Sequence, residues 1–218
     1  MDGRVRVWDL PTRLTHWAIA VLVGLSWLSA ENGRMGVHVA SGLTILAVLL
    51  FRLFWGVVGS PNARIANFAP SPGAVRDYAS ELRDADYRPE PGHSPLGALS
   101  IFAIWALLAF HLGTGLFAVD VDGLNSGPLA EHVSFDVGRT AAEVHETTFN
   151  ALLALIVLHI AAILFFLIGK RANLITPMIT GLSRVHRRSA ELLRPQSIIV
   201  RSIIGAAIAG GIIAVIAT

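Results

Sequence analysis

The chain has 218 residues, of which 54% are hydrophobic and only 15% charged, against about 25% charged in a soluble domain. Its mean hydropathy is +0.62, which marks an integral membrane protein. The formal net charge of +2, with no basic patch interleaved with aromatics, argues against nucleic acid as a partner, and the absence of cysteine excludes disulfides, zinc–thiolate sites, iron–sulfur clusters and covalent c-type haem.

A helix crosses the hydrocarbon core with about 20 apolar residues. Five segments qualify, at roughly 14–30, 37–58, 96–119, 142–169 and 197–217. No A-x-A-like cleavage site follows the first apolar run, so it reads as a retained span and not a signal peptide. Trp17 and Trp27 flank it and suit an interface. Between spans two and three, "PSPGAVRDYASELR" offers Ser71 as N-cap and Pro72 at the first helical position. This predicts a surface helix over about 72–84, followed by an extended connector, "YRPEPGHSPLG". In the fifth span, Arg201 is expected to snorkel outward, and Gly205 and "AGG" allow close helix contact.

The basic residues set the expected orientation. The N-terminus, the loop after span two and the loop after span four hold fifteen of the seventeen Lys and Arg residues. In a five-span chain all three lie on one side, which predicts a cytoplasmic N-terminus, a periplasmic C-terminus and residence in the bacterial inner membrane. The opposite side has only Arg34 and Arg139. Its loop at 120–146 carries Asp120, Asp122, Glu131, Asp136, Glu143 and Glu146, which could steer a basic partner.

Histidine is costly in a bilayer and needs a partner there. His145 and His159 are 14 residues apart, close to four whole turns, so they share a helix face about 21 Å apart along the axis. His16 begins span one on the inner side and His38 begins span two on the outer side. Depth therefore pairs His16 with His159 and His38 with His145, an arrangement suited to two bis-histidine haems. Singly, each of the four fits a helix–helix contact equally well. Their match in depth favours ligation. Gly42, Ala161 and Ala162 leave room for a porphyrin.

The other four histidines carry weaker signals. His111 in "AFHLGTGLF" could ligate, line a quinone pocket or serve structure, and without a depth-matched partner the last two roles lead. His93 in "PGHSPLG" could meet a propionate or quinone, or hold a turn. His132 and His186 sit in loops and read as solvated. Arg13, Arg52 and Lys170 are inner candidates for propionate or quinone contact, and Arg34 and Arg139 outer ones. Each also fits an interfacial anchor.

The chain resembles the prokaryotic cytochrome b-561 family, which includes the cytochrome b subunits of nickel–iron hydrogenases. The likeness runs through "WDLPTRLTHW", "HVASGLTILAVLLFRLFWG", "PGHSPLGAL", "GTGLF", "EVHETTFNALLALIVLH" and "NLITPMITG". It implies an all-α membrane fold: a four-helix core over 1–175 that binds two haem b, with a basic linker and a fifth helix over 176–218. The family's ligand positions fall on His16, His38, His145 and His159. The likeness also implies electron exchange with quinone and with a periplasmic partner, such as a c-type cytochrome, a hydrogenase or a dehydrogenase. A superoxide:quinone oxidoreductase of the same fold is the alternative within the family. A histidine-relay transporter or a haem-free scaffold is the alternative from another class. The first would usually carry acidic residues inside its spans or a broken or repeated helix arrangement, and this chain shows neither.

Overall fold

The computed structural model of the protein describes residues 5–82, 92–122, 125–183 and 195–218. Among the described residues, five long helices carry the fold: α1 (Leu10–Glu31), α2 (Met35–Val58), α5 (Pro95–Phe117), α6 (Phe135–Leu164) and α8 (Pro195–Ile216). All five are long and apolar enough to cross a membrane, so this is a multi-pass membrane protein. Their outward residues include Val157, Leu158, Ile160, Ile203 and Val215, all exposed. In water such faces would be costly, but against lipid they are matched.

Among the described residues, short α-helices lie between them: α3 (Ile65–Phe68), α4 (Pro72–Glu81) and α7 (Ile175–Thr180). Strands β1 (Val5–Arg6) and β2 (Leu182–Ser183) pair antiparallel, Val5 opposite Ser183 and Arg6 opposite Leu182.

The helix ends differ from the expected ones for local reasons. Helix α1 begins at Leu10, not near 14, because the Asp9 carboxylate accepts from the Thr12 N–H at 2.8 Å and caps it. Helix α6 begins at Phe135, not near 142, with Ser134 Oγ accepting from Val137 N at 3.4 Å. Its added turns carry Asp136 and Arg139, which hydropathy reads as loop. Helix α5 stops at Phe117, not 119, because Val119 turns away to bridge Ser126. Helix α4 has the expected cap, Ser71 accepting from Ala74 N, but ends at Glu81. The rest of its expected span, at 83–84, and much of the connector lie outside the described residues.

The chain divides into two compact units. The first comprises residues 1–14, 52–103 and 155–203. The β1–β2 ladder ties its ends, and Gly181 O continues it by accepting from Val7 N at 2.8 Å. The Arg201 guanidinium does not point outward as expected. It donates to Val58 O, the last carbonyl of α2, and so caps a helix C-terminus. The core of this unit contains Trp55, Ala63, Ala98 and Tyr78.

The second unit comprises residues 15–51, 104–154 and 204–218. Its core holds Ile45, Leu49, Leu108, Leu112 and Leu152. Helix α1 ends in a Schellman turn: Arg34 N donates to Ser29 O and Gly33 N to Ala30 O, with Gly33 at φ 67°. That left-handed position suits glycine, and the tight reversal brings Ser26 of α1 beside His38 of α2. On α8, Gly205 and Ala209 are buried, as their size allows, whereas Gly210 and Gly211 face open space.

Candidate functional site

Three histidines from three helices meet in the second unit. The rings of His38 and His145 have centroids 6.0 Å apart and planes at 88°. His111 stacks on His145 at 3.7 Å and 14°. One nitrogen of each ring is committed. His38 Nδ1 lies 3.0 Å from Ser26 O and 3.1 Å from Ser26 Oγ. His145 Nδ1 lies 2.8 Å from His111 O, and His111 Nδ1 lies 3.0 Å from His145 O. A carbonyl only accepts, so each Nδ1 carries the proton. Each Nε2 is then a bare lone pair, and none has a hydrogen-bond partner among the described residues.

Local sequence makes the space. Gly115 lies one turn beyond His111, and a methyl group there would stand 2.7 Å from His145 Cε1. Gly42, one turn beyond His38, faces open space. Phe149 closes the far side, 5.9 Å from the His111 ring and 6.0 Å from Trp27.

The prokaryotic cytochrome b561 family matches this chain over residues 7–181. The chain belongs to that family. The cytochrome is also similar to a curated protein named "Probable Ni/Fe-hydrogenase B-type cytochrome subunit" from Azotobacter chroococcum mcd 1, at 26% identity over 155 residues. The match covers 59% of this chain, and the chain spans 65% of that relative's length. No solved structure matches it.

Membership implies haem b and a role in transmembrane electron transfer. The residues of the second unit fit such a group. A metal–imidazole bond is about 2 Å long, so two imidazoles on one iron have centroids roughly 6 Å apart. His38 and His145 have that separation, and the lone pair each leaves is the one a metal takes. When bound, haem supplies one-electron chemistry. The protein supplies the ligands, their fixed tautomers and the apolar surroundings.

The other sequence candidates fall as follows. His16 is half-buried, edge-on to Trp17 with centroids 5.0 Å apart. His159 is half-buried on α6. His16 belongs to the second unit and His159 to the first. Arg13 donates to Ile179 O, and Arg139 donates to Val119 O at 2.9 Å. Arg34 is exposed and Lys170 half-buried. His132 is exposed beside Glu131 at 4.0 Å. His186 lies outside the described residues.

His93 is enclosed in the first unit, 4.6 Å from the Trp8 ring and 4.2 Å from Phe68, which in turn stacks on Phe102. Burial, and secondarily the Arg52 charge, push its pKa down to about 3, so the ring is neutral at working pH. Arg52 is buried and donates to Ala63 O at 3.4 Å.

Sequence reasoning missed Asp9. It is buried, and beyond the Thr12 cap its second oxygen accepts from Trp55 Nε1 at 2.9 Å and Ser60 Oγ at 2.5 Å. The signal was available in "DLPT": an acceptor at the N-cap and proline in the first turn.

Proposed function

We propose that this cytochrome carries electrons across the bacterial inner membrane through two haem b, between a periplasmic redox partner and the quinone pool. His38 and His145 hold the outer haem, and His16 and His159 the inner one. The observation that carries the reading is the 6.0 Å spacing of His38 and His145, with both Nδ1 atoms tied to carbonyls. The inner pair rests on sequence depth: His145 and His159 lie on the single helix α6, separated by close to four turns. The N-terminus is cytoplasmic and the C-terminus periplasmic, by the distribution of Lys and Arg. The division at about residue 175, into a four-helix core and a fifth helix, is proposed from the family likeness.

The partner is a periplasmic electron-transfer protein. The name of the Azotobacter relative favours a hydrogenase; a dehydrogenase or c-type cytochrome would use the same outer face. Quinone is proposed to exchange electrons with one of the two haems. The neutral His93 ring could hydrogen-bond a quinone oxygen, with Arg13, Arg52 and Lys170 as further candidates for contact to quinone or propionate. His111 is the corresponding candidate beside the outer haem.

The test is a reduced-minus-oxidised spectrum and a pyridine haemochrome assay on the purified chain. Two haem b per chain are expected. His38→Ala and His145→Ala should remove the same haem, and His16→Ala and His159→Ala the other. A single haem, or loss of one haem from both His38→Ala and His159→Ala, would overturn the pairing. Reporter fusions after Glu81 and Asp122 should read cytoplasmic and periplasmic, and reversed signals would exchange the two faces.

A further inference from the structure

We propose that His111 and Gly115 form the seat of the His145 ring, which makes His111 a positioning residue for an axial ligand. The inference rests on the reading of His145 as that ligand. His111 had no place in the depth pairing, and it is the most enclosed of the three clustered histidines, 9% exposed. Its bonds explain why. Helices α5 and α6 clasp each other through the two residues, each ring donating to the other's backbone carbonyl, at 2.8 and 3.0 Å. Thr148 Oγ adds a second contact to His111 Nδ1 at 3.1 Å. The carbonyl of His111 fixes the His145 tautomer, and the His111 ring, stacked at 3.7 Å, fixes its plane. Gly115 removes the one side chain that would collide with His145 Cε1.

Outer contacts of this kind set the basicity and direction of a ligating imidazole. The backbone carbonyl survives any substitution at 111, whereas the stack does not. His111→Ala should therefore leave the His145 tautomer intact and release the ring plane. An imidazole free to rotate binds ferric and ferrous iron with a different ratio of strengths. A tenfold change in that ratio moves a one-electron midpoint by about 59 mV.

The experiment uses the purified, haem-loaded full chain. His38→Ala and His145→Ala come first. If they do not remove the same haem, the ligand reading fails, and the seat with it. If they do, His111→Ala is compared with the unmutated protein by haem content, redox titration and low-spin ferric EPR. The expected result is a shift in one midpoint and one EPR signal, those missing from His38→Ala, with the other pair unmoved. His111→Phe, which keeps an aromatic face, should return that signal most of the way. If His111→Ala loses the haem and His111→Phe keeps it, the seat is supported just as well. Gly115→Ala should disturb the same haem. Gly113→Ala, which adds its methyl group into open space, should not. Unchanged midpoints and signals in His111→Ala would overturn the seat. So would loss of that haem from His111→Ala, His111→Gln and His111→Phe alike, because His111 would then be a ligand itself.

Discussion

The Asp9 carboxylate of the first unit and the imidazoles of His38 and His145 in the second are all polar groups held among apolar side chains, but their hydrogen bonds leave different remainders. Both Asp9 oxygens are used: one caps α1, and the other joins Trp55 of α2 to Ser60. Each imidazole has one nitrogen used and one left bare. A buried network with every member satisfied rigidifies a fold. A buried group with one lone pair to spare can hold something else. Asp9, with both oxygens used, is a structural knot, whereas the imidazoles, each with a spare nitrogen, form a binding site.

The largest expected effect breaks the two regions apart. His38→Ala should lose one haem of the proposed two, by pyridine haemochrome, while Asp9→Asn keeps both. If Asp9→Asn also loses a haem, the knot is not merely structural.

Next, Asp9→Ala strips the cap and removes the carboxylate that Trp55 Nε1 and Ser60 Oγ donate to. A loss of about 3–5 kcal/mol is expected, read as a fall in the unfolding midpoint of the detergent-solubilised protein. A loss below 1 kcal/mol would mean that water already reaches the knot. Trp55→Phe removes only one donor and leaves Asp9 its other two, so about 1–3 kcal/mol is expected.

The last effect is graded with pH and is small within any one pH unit. His93 is neutral in the fold down to about 3, whereas an unfolded histidine takes its proton near 6.5. Between those values the unfolded chain binds more protons, so the contribution of His93 to stability falls as pH falls below 6.5. The slope is at most about 1.4 kcal/mol per pH unit. His93→Phe, set between Trp8 and Phe68, should flatten it. An equal slope in the variant would assign the acid sensitivity to other groups.

The five spans were legible because continuous apolar sequence reports lipid contact directly. Helix ends were less so. Asp9 and Ser134 set two of them through single hydrogen bonds that a hydropathy window cannot register. The meeting of His38 and His145 was legible through depth, which needs only helix rise and the direction of each span. The place of His111 was not. Depth assigns a level to a side chain, whereas the stack on His145 depends on how α5 and α6 turn toward each other. The Arg201 cap on α2 was hidden for a similar reason: its acceptor is a backbone carbonyl, and every residue has one.

The loop joining α5 to α6 folds back so closely that a methyl group on Gly127 would stand 2.2 Å from Gly115 O and 2.4 Å from Leu116 O. Gly127 N donates to Ala118 O, and Leu129 N to Leu116 O. In a library of point variants, surface loops ordinarily accept most residues. Position 127 should accept little besides glycine, whereas exposed Asp122 and Ser126 should tolerate wide replacement. The same two carbonyls lie on the turn of α5 that carries Gly115, so the few variants that survive at 127 should be enriched for second-site changes near His145.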